Sequence, residues 1–145
     1  MSFAATLCSE VVANTISMGE PGVFMHGPTF MANPLACAAA NASLDLIEQT
    51  NPLQKVEAIE QHLKAKLPAL ASLPQVANVR ILGAIGVVEM KKAVNMATIQ
   101  ARFVDEGIWI RPFGKLVYTM PPFCISKEEL SHLTSALLRV IEKEK

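Results

Sequence analysis

Two places in this chain set out side chains in a pattern that could hold a ligand. In residues 25–40, His26, Gly27, Pro28 and Thr29 follow one another. They offer an imidazole, a backbone open to close approach, a fixed φ and a hydroxyl. The same residues would also serve as a plain loop before a tightly packed helix. The second place is Arg111, in Ile-Trp-Ile-Arg-Pro-Phe, with no acidic residue nearby in sequence. A guanidinium carries paired donors that match the two oxygens of a carboxylate. The competing reading is an edge-strand arginine whose head simply reaches water. Elsewhere the spacing argues against chemistry. His26, His62 and His132 form no ligand pair at helical spacing, and no metal is expected. Cys8, Cys37 and Cys124 are odd in number, far apart and in no C-x-x-C spacing, which fits reduced thiols in a cytoplasmic protein.

The elements that must position these residues can be read from caps and periodicity. Asn33 and Pro34 form a helix start, with a capping side chain followed by a residue that needs no N–H. The helix they open is small on every face (Ala36, Cys37, Ala38, Ala39, Ala40), with Leu35, Ala39, Ala42 and Leu46 at helical spacing. Before it, a short strand or loop from Ser2 gives way to a helix capped by Ser9, with Val12 and Ile16 one turn apart. Gly19-Glu-Pro-Gly ends that helix. Asn51-Pro52 repeats the Asn-Pro start, and Leu53, Val56, Ile59, Leu63 and Leu67 predict an amphipathic helix that Pro68 ends or kinks. Glu60 and Lys64 form an i,i+4 pair on its wet side.

Strand periodicity follows. Residues 76–82 and 87–90, around Gly83 and Gly86, predict a bent or paired β-ribbon, with the glycines allowing a bulge or close backbone contact. Asn95 caps a helix carrying Met96, Ile99 and Phe103 inward, and Gly107 stops it. Residues 108–110 and 116–120 predict two more strands, closed by Arg111-Pro112 and Pro121-Pro122. Ser126-Lys-Glu-Glu129 is a capping box by spacing, with Ile125 and Leu130 as its hydrophobic staple. Leu130, Leu133, Leu137, Val140 and Ile141 mark the inner face of the last helix.

At 145 residues the chain is one ordinary domain, or one domain plus a piece of another. Formal net charge is zero, which argues against nucleic acid or an anionic membrane surface as a partner. No run of apolar residues is long enough to span a membrane, and no basic segment opens a secretory signal. The charge is unevenly placed: residues 1–54 hold no Lys or Arg and only Glu10, Glu20, Asp45 and Glu48. Such a stretch suits a covered surface better than a solvated one. The domain boundary is therefore expected near Thr50, with residues 51–145 an α+β unit, a small and largely antiparallel sheet with helices on one face.

Three motifs, in one order, carry a resemblance. His26-Gly-Pro-Thr-Phe-Met-x-Asn-Pro-Leu-Ala-Cys-Ala, Arg80-x-x-Gly-x-x-Gly-x-x-Glu89 and Gly107-Ile-Trp-Ile-Arg-Pro-Phe-Gly-Lys-Leu-Val-Tyr-x-Met-Pro-Pro together resemble the class III pyridoxal-phosphate aminotransferases. Within that family the likeness is greatest to the diaminopelargonic acid synthase branch of biotin synthesis. The resemblance implies the C-terminal small domain of a fold-type I pyridoxal-phosphate enzyme (residues 51–145). It also implies a trailing piece of the large domain and dimer-interface loop (residues 1–50). It implies a homodimer in the complete enzyme, with Pro28 and Thr29 at the cofactor phosphate of the partner subunit and Gly27 and Arg111 at the substrate. The implied reaction moves an amino group from S-adenosylmethionine to 8-amino-7-oxononanoate. Ala32 departs from the family, which usually has glycine there, so a stiffer or displaced loop is expected. None of the lysines sits in a motif matching the family's catalytic lysine, so this polypeptide by itself is expected to be inactive. The alternatives are a non-catalytic α+β module or assembly subunit, or part of an acetylornithine or ω-amino-acid aminotransferase.

Overall fold

The computed structural model describes residues 3–20, 22–25 and 27–144. Ser2, Pro21 and His26, which enter the expectations above, lie outside the described residues. The chain divides into two compact units, Met1–Thr50 and Asn51–Lys145.

The first unit holds α1 (Glu10–Met18) and α2 (Pro34–Thr50). Ser9 caps α1, its hydroxyl accepting from the Val12 N–H at 3.4 Å. Asn33 caps α2 in the same way, its carboxamide oxygen accepting from the Ala36 N–H at 3.0 Å. Burial is slight. No residue of α1 is buried, and α2 buries Ala36 alone. Leu35, Leu44, Leu46 and Ile47 are all exposed. The periodicity is helical, but the larger side chains of α2 stand uncovered and its methyl-sized ones bury little area.

The second unit begins with α3 (Pro52–Lys66), which runs into a 3₁₀ turn (Leu67–Ser72) at Pro68. Asn51 does not cap α3. Its backbone is left-handed (φ 44) and its side chain makes no capping bond. Asparagine suits both a cap and a left-handed stop, and here the backbone conformation wins. Leu53 is exposed, so the inner face of α3 starts one turn later than the spacing suggests, with Ile59, Leu63 and Leu67 buried.

The sheet has three antiparallel strands in the order β1 (Val76–Leu82), β2 (Ile85–Met90), β3 (Leu116–Thr119). Pairing sets Val79 beside Val88 and Val88 beside Val117, a row facing the core; the register shifts between Val76 and Asn78. On the other face Arg80 pairs with Glu89 across the strands. The glycine that matters most is Gly86. A Cβ there would stand 2.6 Å from Leu67 Cδ1 and 3.5 Å from Leu63 Cδ1. Both leucines are fully buried, so the end of α3 lies directly on the backbone of β2. Glu60 reinforces this approach, its carboxylate pairing with Lys64 at 3.0 Å and accepting from the Gly83 N–H at 3.1 Å.

Two further helices, α4 (Met96–Asp105) and α5 (Lys127–Glu142), close the core. Asn95 caps α4, and Gly107, at φ 75, ends it. α5 carries the full capping box: the Glu129 N–H donates to Ser126 Oγ and the Ser126 N–H to the Glu129 carboxylate. Leu130, Leu137, Val140 and Ile141 are buried as expected, Leu133 partly so. The buried Thr134 is a polar member of that face. Its hydroxyl donates to the Leu130 carbonyl at 2.9 Å and shares a 3.0 Å hydrogen bond with His62 Nε2.

One expected strand is missing. Residues 108–110 alternate buried, exposed, buried, yet enter no ladder. Phe113 and Leu116 form an isolated bridge around Gly114-Lys115, exchanging two 2.8 Å hydrogen bonds. Pro112 follows in the outgoing direction, and its ring holds φ near about −65°, away from the roughly −140° of an antiparallel strand, so the ladder does not continue through it.

Two expectations follow. Gly86→Ala should destabilise the chain by roughly 1–3 kcal/mol, because the buried Leu67 cannot yield without disturbing the core; urea unfolding measures it. The second concerns acid. Lys64 holds Glu60 below the usual carboxylate range, Arg139 does so for Glu106, and the Ser126 N–H for Glu129. Burial, aided by Lys66, likewise lowers His62. All four groups bind protons more readily when unfolded, so each contributes stability above its unfolded pKa and loses it as pH falls through the folded one. The urea midpoint should therefore drop in two stages, first below about 6.5 and again below about 4.5. His62→Gln should abolish the first stage only.

Candidate substrate and cofactor site

Arg111 owes its setting to the failed ladder. Continuing the Phe113–Leu116 register outward would set Arg111 opposite Tyr118 and Trp109 opposite Met120. Pairing stops at Pro112 instead, and a cleft of about 360 Å³ opens with all four of these residues in its lining. The alternation of the segment aims the charge. Ile108, Ile110 and Pro112 are buried, while Trp109 and Arg111 are exposed. Arg111 makes no ion pair or side-chain hydrogen bond among the described residues, whereas Arg80, Arg102 and Arg139 each pair with a glutamate. A free guanidinium beside aromatic and apolar walls can take a carboxylate on an alkyl chain. Tyr118 and Trp109 were not singled out from the sequence. The available signal was their in-phase spacing with Arg111 across a two-residue turn.

Gly27, Pro28 and Thr29 belong to the first unit. Pro28 opens a turn closed by the Met31 N–H on the Pro28 carbonyl at 2.9 Å. Thr29 is exposed within that turn, and its hydroxyl has no partner among the described residues. Nothing lies within 4 Å of where a Gly27 Cβ would be. An open backbone and an unpaired hydroxyl fit the acceptor oxygens of a phosphate. Ala32 closes the turn with φ 56, left-handed backbone at a residue with a Cβ. The loop thus keeps a glycine-type conformation without the glycine. Such a position costs an alanine on the order of 1 kcal/mol.

These local features generate a paired test. Ala32→Gly should relieve the strain and slow hydrogen exchange at the Ala36 amide. Asn33→Ala should remove the cap, cost about 1 kcal/mol and speed that exchange. Equal exchange in both variants would contradict the capped turn.

A sequence profile of the family described as aminotransferase class-III matches residues 1–141. The chain is 51% identical, over 138 residues, to the adenosylmethionine-8-amino-7-oxononanoate aminotransferase of Corynebacterium glutamicum. That match covers 94% of this chain and 33% of the relative. It is 48% identical over 143 residues to the protein of the same name from Buchnera aphidicola subsp. Acyrthosiphon pisum, covering 99% of this chain and 33% of that one. Among solved structures it resembles an (S)-enantioselective omega-transaminase from Thermomicrobium roseum. The TM-score is 0.80 at 26% identity, over 92% of this chain and 32% of that protein. The chain spans about a third of the length of the curated relatives it matches. With 141 of its 145 residues inside the family profile, this chain belongs to the class-III aminotransferases.

Proposed function

We propose that this chain supplies the substrate-carboxylate and cofactor-phosphate contacts of an adenosylmethionine-8-amino-7-oxononanoate aminotransferase. The observation that carries this reading is the unpaired Arg111 guanidinium on an apolar cleft, within a run similar to that branch of the family. The curated relatives at 48–51% identity bear that name, which supports it further. Arg111 binds and orients the carboxylate of 8-amino-7-oxononanoate, with Trp109, Tyr118 and Met120 excluding water along the alkyl chain. Gly27 admits the substrate close to the backbone. Pro28 fixes the turn from which Thr29 donates its hydroxyl hydrogen to the cofactor phosphate. Bound pyridoxal phosphate supplies the electron-withdrawing ring on which amino-group transfer runs. The amino donor in this reading is S-adenosylmethionine. The complete enzyme is a cytoplasmic homodimer in which residues 1–50 lie against the large domain and the partner. The exposed Phe24, Met25, Phe30 and Met31 support that assignment.

The test uses a chimera in which this chain replaces the matching third of the Corynebacterium glutamicum relative. Arg111→Ala should reduce kcat/KM for 8-amino-7-oxononanoate about ten- to a hundredfold, the worth of a charge-assisted pair, and leave S-adenosylmethionine less affected. Arg111→Lys should restore only part, because one ammonium cannot reproduce a fork. Equal losses toward both substrates would overturn the carboxylate assignment. In the same chimera Thr29→Ala should raise the cofactor Kd without lowering Tm of the cofactor-free protein.

A further inference from the structure

We propose that a second cleft, between α3 and the start of α5, binds a small organic anion, an acidic group carried on an apolar body. The cleft measures about 510 Å³, within the range of small-molecule sites. Its charged lining has one sign: Lys55 comes from α3 and Lys127 from the first turn of α5, the His62 ring lies on the same wall, and no carboxylate lines it. The two acids that begin α5 are turned elsewhere. Glu129 is folded back onto the Ser126 N–H at 2.9 Å, and both Glu128 and Glu129 line a separate cleft. Neither Lys55 nor Lys127 has an ion-pair partner among the described residues, although Lys64, on the same helix as Lys55, has one. The rest of the lining is apolar: Ile59 and Leu130 are buried beneath it, and Phe123 stands half-exposed at its wall. Positive charge without a counter-charge, over an apolar floor, complements an anion with a hydrophobic body.

His62 makes the occupant's charge readable. Thr134 gives its one hydroxyl hydrogen to a carbonyl of its own helix, so His62 Nε2 carries the proton that it donates to Thr134. Nδ1 is then the nitrogen that titrates. The ionisable groups around it are Lys55 and Lys66 on α3, Lys127 on α5 and Cys124 in the segment between β3 and α5; none is a carboxylate. Burial, aided by Lys66, lowers the ring's pKa and so disfavours its charged form. An anion in the cleft would supply the missing negative charge and draw a proton onto Nδ1, so binding should tighten as pH falls.

The experiment titrates the full chain with benzoate, whose charge stays fixed above pH 5.5, following the His62 ring resonances by NMR. The expected result is a saturable shift at His62 with its pKa raised in the bound state. A Lys55→Gln/Lys127→Gln variant should weaken binding roughly tenfold, about 1.4 kcal/mol for the two charges together. Acetate, which lacks the body, and benzyl alcohol, which lacks the charge, should both bind more weakly than benzoate. Unmoved His62 resonances, shifts confined to His26 or His132, or undiminished binding by the double variant would overturn the site. Acetate binding as tightly as benzoate would overturn the apolar component.

Discussion

The close approach of α3 to β2 is the constraint on which the second unit depends. Leu67 rests where a side chain of residue 86 would otherwise be, with Leu63 in contact beside it, so the end of the helix packs its side chains directly on the strand backbone. That contact sets the depth of the core, since Val88 and Val117 then fall beneath the same layer and α5 covers what remains. Glu60 secures the approach from its rim by binding both Lys64 and the Gly83 N–H. Everything beyond β2, including β3 and the segment that carries Arg111, is hung on this frame.

Much of the frame could be read from the sequence because its signals are local. Ser9, Asn33, Asn95 and Ser126 cap their helices within three residues of themselves, and Gly107 stops one by its own backbone conformation. Where two local meanings compete, reading fails. Asn51 resembles a cap beside Pro52, yet serves as a left-handed stop. Residues 108–110 show the alternation of a strand and do bury Ile108 and Ile110. Pairing, however, depends on a neighbour's hydrogen bonds, which periodicity does not report.

The candidate site divides along the same line. Arg111 stands out in sequence as a charge among apolar residues, but its cleft does not, because the cleft exists only where the turn at Phe113–Leu116 fails to extend. Thr134 was not singled out from the sequence. Only the packed structure gives its hydroxyl, besides carbonyls of its own helix, a partner 72 residues away. In the first unit the contrast is sharper. The caps of α1 and α2 are local and legible, while apolar side chains such as Leu7 and Met18 stand open. Helix starts can be written in a few residues; cover for a helix face cannot.

Residues 108–112 lack a ladder: the Ile108 N–H on the Phe103 carbonyl at 3.0 Å and the Phe113–Leu116 bridge anchor the two ends, and the residues between make no backbone bond among the described residues. What holds them is the fit of Ile108, Ile110 and Pro112 into the core. The direction in which Arg111 points is therefore inherited from its apolar neighbours, in the way a key's teeth are set by its shank. Inserting or deleting one residue before it would exchange the roles of Ile110 and Arg111, and a buried unpaired guanidinium is far costlier than an exposed isoleucine. The length of this short segment is thus as much a part of the charge's placement as the arginine itself.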